Sequence, residues 1–505
     1  MEAIQNLAQG FNDILTVYNM VVVIIGSMLG TLIGALPGLG PSAGVALFLP
    51  LTIGMPVNSG LILLCGIYMG CMYGGRITAI LVNIPGDAPA IVTAFDGYPL
   101  MKKGKGGLAM GISGITSFLG GTFGLIILIF GAPLVVSVAV NFGPPEYFML
   151  MLFGLSTISL LADQHIYKAL FMTFFGFLIG MMGNDYISGY VRFAFTMDMI
   201  EGIDFVAIVI GIFGIGEVLL SLENNIKLNL EKTSFKLSEF IPERKVWKSL
   251  LGPTVRGAAI GTGIGMLPGA GGSMATFLSY GVEKKLSKHP EEFGKGALEG
   301  MASAESSNNA CVGGSLLTAL TLGIPGSGTT AIMLGALIMF GMRPGPLLMT
   351  KSGPIIWAMI AGLIVANVVL LFCNIALIPF FVSIMRVIQK YLNPIIVVLC
   401  IFGGFSLNYD FFNCWVVLLF GLVGYGMKKY HYPAGPLILG IILSPLTEAY
   451  FRQSIMMSRG SYAIFVNRPV SCLLLISITI IACITIIKQM KINRKVKKSS
   501  PVELI

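Results

Sequence analysis

Charge is what this chain has least of. Asp, Glu, Lys and Arg together make up 11% of its 505 residues, less than half of the roughly 25% usual in soluble domains, which excludes an ordinary water-soluble globule. Histidine is scarcer still. His165, His289 and His431 stand singly in polar connections, so there is no HExxH and no histidine-centred catalytic constellation. The eight cysteines sit mostly in apolar runs, as with Cys65, Cys71, Cys373, Cys400, Cys472 and Cys483, without CxxC spacing. Neither a disulfide framework nor a zinc site is expected, and they read as small packing residues. No GxxxxGK[ST] occurs, so no P-loop binds ATP here, and GTGIG at 261–265 has neither GxGxxG spacing nor a βαβ context. Residues 1–19 lack a basic n-region and carry Glu2 and Asp13, so the first apolar run is expected to stay as a span rather than be cleaved as a signal peptide.

What fills the chain is apolar sequence, 55% of its residues. Runs of about 18 or more apolar residues recur along nearly the whole length, and in lipid only helices or closed barrels satisfy their own backbone. The runs are too long and continuous for barrel strands. The expected fold class is an all-α polytopic membrane protein with about twelve membrane segments. The formal charge of +9 does not call for nucleic acid, because Lys488, Lys491, Arg494, Lys495, Lys497 and Lys498 cluster directly after the last run, where a positive-inside signal explains them. Most of the 64 glycines read as GxxxG-type helix contacts.

The organising feature is a duplication. GTLIGALPGLGPS (Gly30 to Ser42) returns as GTGIGMLPGAGGS (Gly261 to Ser273), with nine of thirteen positions identical at an offset of 231. MYGGRITAILVNIPGDAPA (Met72 to Ala90) is echoed by VGGSLLTALTLGIPGSGTT (Val312 to Thr330) at an offset of 240, which aligns Ile84-Pro85-Gly86 with Ile324-Pro325-Gly326. Each copy thus carries two Pro-Gly breaks inside apolar sequence. The chain divides into repeat 1 with its breaks (1–106), intervening spans (107–222), a polar cytoplasmic linker (223–250), repeat 2 (251–350), C-terminal spans (351–488) and a basic cytoplasmic tail (489–505).

Loop charge gives the two copies opposite orientations. Copy two enters from Lys227, Lys232, Lys236, Arg244, Lys245 and Lys248, whereas no Lys or Arg precedes the first run of copy one. The turn MPVNSG of copy one is uncharged where copy two has EKKLSKHPEEFGK, and the exits reverse, with KKGK leaving copy one and only Arg343 and Lys351 leaving copy two. A parallel duplication would give matching charge at matching loops. The lysine and arginine rule therefore predicts an outside N-terminus, a cytoplasmic C-terminus and an inverted-topology repeat.

A Pro-Gly break inside hydrocarbon frees backbone groups at several kcal/mol each, so it survives only where protein or a water-filled cavity surrounds it. In inverted-repeat transporters such breaks build the site: half-helix N-termini attract an anion while freed carbonyls hold a cation. Ser42 and Ser273 follow the first breaks; Asp87 follows one second break, and Ser327, Thr329 and Thr330 the other. Each serves either as a helix cap or as a ligand for a carboxylate. The candidate substrate-binding residues are Gly38, Gly40, Ser42, Asn83, Gly269, Gly271, Ser273, Asn308, Asn309 and Ser327, and the candidate coupling-ion residues are Asp87, Glu305, Thr329 and Thr330. Arg76, inside an apolar run, must face protein, water or a partner charge. Pairing with Asp87 or Glu305 is the preferred reading, and contact with a substrate carboxylate is the other. Glu217 in GIGEVL has the same ambiguity, its nearness to the basic linker favouring an interfacial role.

The stretches GALPGLGPSAGVALFLPLT, MYGGRITAILVNIPGDAPAIVTAFDGYPLMKKGKGGLAMGIS, GMLPGAGG and LGIPGSGTTAIMLGALIMFGMRPGPLL together resemble the large membrane subunit of the tripartite tricarboxylate transporters, the TctA family, from about Gly26 to Leu347. The resemblance implies a bacterial inner-membrane permease that works with a small four-span membrane subunit (TctB-like) and a periplasmic substrate-binding protein (TctC-like). It also implies import of citrate-like or other carboxylates driven by an ion gradient, with Na+ or H+ as coupling ion and no other cofactor. The chain is not expected to be an enzyme. A passive anion channel, or an intramembrane enzyme needing a nucleophile and base at one depth, are the alternatives.

Overall fold

The computed structural model describes residues 2–161, 166–185, 187–224 and 237–499. Lys227, Lys232 and Lys236 of the expected linker, His165, and the end of the tail from residue 500 lie outside the described residues. The chain divides into two compact units, Met1–Val140 with Ile203–Ala434, and Asn141–Gly202 with Gly435–Ile505. It starts in the first with α1 (Glu2–Ile14), α2 (Val17–Gly34), α3 (Pro41–Phe48), α4 (Val57–Val82), α5 (Ala90–Lys102) and α6 (Gly106–Ala139). The second unit follows with α7 (Pro144–Leu161), α8 (Ile166–Gly180) and a hairpin of β1 (Gly183–Asn184) and β2 (Val191–Arg192). The first resumes with α9 (Phe205–Ile210), a π-helical turn (Gly211–Ile215), α10 (Gly216–Asn224), α11 (Arg244–Gly265), α12 (Gly271–Leu286), α13 (Leu298–Leu322), α14 (Gly328–Met339), α15 (Pro346–Lys351), α16 (Gly353–Ala376), α17 (Ile378–Asn408) and α18 (Phe411–Lys429). The chain closes in the second with α19 (Ala434–Met457), α20 (Ile464–Asn467) and α21 (Pro469–Ser499).

Among the described residues nine helices are long and apolar enough to cross a membrane. The count falls below the expected twelve because the breaks cut spans into halves, so that α3 and α14 are too short to qualify. Helix α13, carrying Glu305-Ser306-Ser307-Asn308-Asn309, is not among the nine, yet that whole polar run is buried. Helix α17 runs unbroken from Ile378 to Asn408, through Pro394.

The two copies repeat contact for contact. Gly26, Gly30 and Gly34 of α2 lie against the backbone of Leu63, Ile67 and Cys71 of α4; Gly257, Gly261 and Gly265 of α11 lie against Ser303, Ser307 and Cys311 of α13. These are the same positions at the two offsets, and small residues at every fourth place let the backbones touch. α4 ends on Asn83 at φ 59 and α13 on Gly323 at φ 74, each left-handed, and the following amides, Ile84 N and Ile324 N, donate to Thr78 O and Thr318 O at 3.3 and 3.4 Å. The chain reverses here because a left-handed residue closes a helix C-terminus.

Contacts also fix direction. Residues 26, 30 and 34 meet 63, 67 and 71 in increasing order, so α2 and α4 run parallel, and α3 must return the chain to its starting side. α5 continues in the sense of α4, with Ala90 beside Gly75 and Gly97 beside Ile80. Near its end, Asp96 accepts the amides of Gly294, Gly296 and Ala297 at 2.8 Å each, and Lys103 donates to Lys295 O at 2.7 Å. α13 therefore begins where α4 and α5 finish, and the two equivalent helices run antiparallel: the repeat is inverted. The helices that follow each copy exchange partners. α6 packs along α13 through Gly120 and Gly124, and α16 along α4 through Gly362, Asn367 and Asn374.

In the second unit, Gly176 of α8 lies against Leu437 and Gly440 of α19. Arg468 pairs with Glu146 at 2.7 Å, and Asp185, Arg192, Glu448 and Arg452 form one ion network.

Candidate functional site between the broken helices

The breaks of the two copies meet crosswise. Ser42, at the start of α3, shares a 3.0 Å hydrogen bond with Thr329 of α14, so the first break of copy one touches the second break of copy two. Reciprocally, Gly272 lies against Pro89 and the Asn308 amide, so the first break of copy two touches the second of copy one. Within each copy the chain closes on itself by backbone bonds: Gly38 N donates to Gly86 O at 3.0 Å, and Gly271 N to Gly326 O at 3.2 Å. Freed groups are thus partly paired by protein, as lipid depth demands.

Beside this crossing is a cavity of about 520 Å³, lined among others by Gly38, Gly40, Ser42, Pro85, Gly86, Asp87, Glu217 and Lys428. Of the sequence candidates it gathers Gly38, Gly40, Ser42 and Asp87. Asp87 caps α5, its Oδ1 accepting Ala90 N at 3.1 Å, while its buried Oδ2 has no protein partner. Ser327 and Thr330 form a reciprocal capping box on α14, and Tyr68 OH approaches Ser327 at 3.5 Å. Asn308 donates to Met72 O at 3.3 Å and Asn309 to Glu305 O at 3.1 Å, leaving both amide oxygens buried and unpartnered. Three acceptor-only oxygens near the breaks without a donor is the situation that an ion or water resolves. Gly269, Gly271 and Ser273 belong to the break of copy two and do not line the cavity. Asn83 is an exposed left-handed cap, which assigns it to chain reversal.

The expected pairing of Arg76 with Asp87 or Glu305 is not a direct one: among the described residues no carboxylate lies within ion-pair distance of Arg76. The fully buried guanidinium donates to Met110 O at 2.9 Å, to Ser113 Oγ and to Asn374 Oδ1 at 3.3 Å. Glu305 is held one helical turn of α6 away by the hydroxyls of Ser117 (2.8 Å) and Thr93. Neutral dipoles solvate each charge at hydrogen-bond distance, as burial requires, while the two stay within Coulombic reach of each other without touching. Arg76 and Glu305 thus form a polar layer apart from the cavity.

Sequence reasoning put Glu217 at the interface and missed Lys428. The π turn Gly211–Ile215, packed on Val417, Phe420 and Gly421, delivers Glu217 to Gly38, and Lys428 of α18 forms an ion pair with its carboxylate. The available signal was a glutamate directly after Gly216 in the apolar run GIGEVL. Asn367 and Asn374, two turns apart in α16, were also overlooked; Asn367 accepts Tyr73 OH at 2.8 Å.

Residues 20–439 match the tripartite tricarboxylate transporter TctA family. A protein of Agrobacterium vitis described as an uncharacterized 52.8 kDa protein in TAR-I ttuC' 3'region is 38% identical over 476 residues, 94% of either chain. A second from the same organism, an uncharacterized protein in TAR-II ttuC' 3'region, is 39% identical over 215 residues, 43% of this chain and 89% of the relative. No solved structure matches. With its many apolar helices and its match over most of the length, the chain is a multi-pass membrane protein that belongs to the tripartite tricarboxylate transporter TctA family.

Proposed function

We propose that the protein is an ion-coupled importer of carboxylates, tricarboxylates such as citrate or related organic acids, in the bacterial inner membrane. Its N-terminus is periplasmic and its C-terminus cytoplasmic, as loop charge argues. It works with a small four-span TctB-like subunit and is fed by a periplasmic TctC-like binding protein. The carboxylate is held at the backbone donors of Gly38–Ser42 and Gly269–Ser273, with Asn308, Asn309 and Ser327 around it. Asp87, Glu305, Thr329 and Thr330 are the positions for the coupling ion, Na+ or H+.

The observation that carries this reading is the crosswise meeting of the breaks from two inverted copies, fixed by the Ser42–Thr329 bond, beside a cavity. Inverted repeats of discontinuous helices are how secondary transporters build a site near the bilayer midplane. The test is uptake of labelled citrate by vesicles holding all three components, with Ser42→Ala, Ser273→Ala and Asn309→Ala made singly. Each should reduce uptake at normal membrane abundance. Normal transport by all three would place the site elsewhere. Alternating access moves the repeat-built body against a scaffold of the remaining spans; cross-links that join the two without slowing transport would contradict it.

A further inference from the structure

Lys428 and Lys429 are neighbours at the end of one helix, yet their surroundings differ. Lys429 pairs with Glu223 at 2.7 Å where both side chains are about two-fifths exposed (40% and 42%), an ordinary solvent-screened surface pair. Lys428 pairs with Glu217 at 25% and 9% exposure, and both line the cavity. Helical Cα–Cβ bonds tilt toward the N-terminus. A lysine in the last turn would normally extend outward to water, whereas this one is drawn back toward the break. The other carboxylate oxygen of Glu217 lies so close to Gly38 (φ 89) that a Cβ there would coincide with it.

The Glu217 carboxylate therefore sits where an anion would, with a lysine on one oxygen and the other packed over Gly38, whose own amide donates to Gly86 O. Among the described residues, the other charged side chain lining the cavity is Asp87, also acidic. While Glu217 holds Lys428, no positive charge is free to receive an anionic solute.

We propose that Lys428 is the seat of a substrate carboxylate and that Glu217 is its internal, displaceable counter-ion: a carboxylated solute binds by taking the place of Glu217 on Lys428 beside Gly38. This rests on the carboxylate-importer reading and adds a binding residue to it. Charge balances if the coupling cation, Na+ or H+, neutralises the released Glu217 as the solute binds, so the exchange also ties solute entry to cation entry.

The experiment measures labelled citrate, succinate and malate uptake by vesicles carrying the complete three-component system, with membrane abundance followed for each variant. K428Q should raise KM about tenfold, equivalent to about 1.4 kcal/mol, and K428R should lie between it and wild type. E217Q, lacking the competing carboxylate, should lower KM at least about threefold, and E217Q/K428Q should stay as weak as K428Q. E223Q and K429Q should leave KM within about twofold. A merely structural pair predicts the reverse: both single variants impaired and the neutral double restored. That result, or an unchanged KM in K428Q, overturns the proposal while leaving the importer reading intact. Absence of uptake of all three acids by wild type overturns both.

Discussion

Asn83 and Gly323 occupy one backbone position in two inverted copies, so exchanging them asks whether Asn83 serves the chain or the solute. At φ 59 and 74 a glycine bears no Cβ penalty, asparagine bears little of it, and other L residues lose roughly 1–2 kcal/mol. Both amides that follow donate to the threonine carbonyl six residues back, so the requirement is one of backbone geometry. Asn83→Gly should therefore leave the unfolding midpoint and citrate uptake near wild type. Asn83→Ala should cost about 1 kcal/mol, and Asn83→Val, with its branched Cβ, about 2 kcal/mol. Thermal unfolding in detergent reads the stability order, and vesicle uptake reads function. If Asn83→Gly kept its stability and lost uptake, the amide would be a ligand and the capping argument would fail. Equal stability of all three variants would mean the left-handed turn is not needed.

Three further outcomes follow from buried geometry. Gly34→Ala and Gly265→Ala should each lower stability by about 1–3 kcal/mol, because the new Cβ meets the backbone of Cys71 or Cys311 rather than a yielding side chain; comparable loss at both positions is the check, and an unchanged midpoint at either would contradict the close helix contact. Arg76→Lys should cost about 1–3 kcal/mol, since an ammonium cannot reach Met110, Ser113 and Asn374 together as the guanidinium does; undiminished folded yield would rule out the structural role. In the second unit the Ser188 hydroxyl, then Arg452, the Ile187 amide and Arg192, hold the Asp185 carboxyl well below the usual carboxylate range. A depressed folded-state pKa stabilises fully above the unfolded value of about 3.9 and is lost as pH falls through the folded one. Hydrogen exchange around residues 183–192 should then stay slow down to about pH 4 and quicken only in stronger acid, and Asp185→Asn should quicken it already at neutral pH.

The helical class, the duplication and its inversion were legible because each leaves a local mark: long apolar runs, Pro-Gly pairs at fixed offsets, and lysines on alternate loops. What stayed hidden depends on packing at long range. Arg76 invited a carboxylate partner because Asp87 and Glu305 were the acidic residues on offer, while its actual partners are a carbonyl, a hydroxyl and an amide contributed by α6 and α16. Lys428 resembled any span-ending lysine. Only the placement of Glu217 by a π-helical turn, which has no composition signal, reveals that it faces inward.

The differences between the copies are as informative as the likeness. Asp87 and Ser327 are equivalent positions, beside Gly40 and Gly271 respectively. Ser327 is satisfied within its own capping box by Thr330, whereas Asp87 keeps one buried oxygen without a partner. Ser42 bonds to Thr329, but the position equivalent to Thr329 in copy one is Pro89, which has neither a hydroxyl nor an amide hydrogen to offer Ser273. The Glu217–Lys428 pair likewise stands only against the break of copy one. Among the described residues, the charged side chains of the cavity stand at the break of copy one, while at the break of copy two Ser327 and Thr330 cap α14. The two breaks thus follow one chain path but differ in side-chain chemistry at matched positions, on a backbone that the duplication itself keeps symmetric.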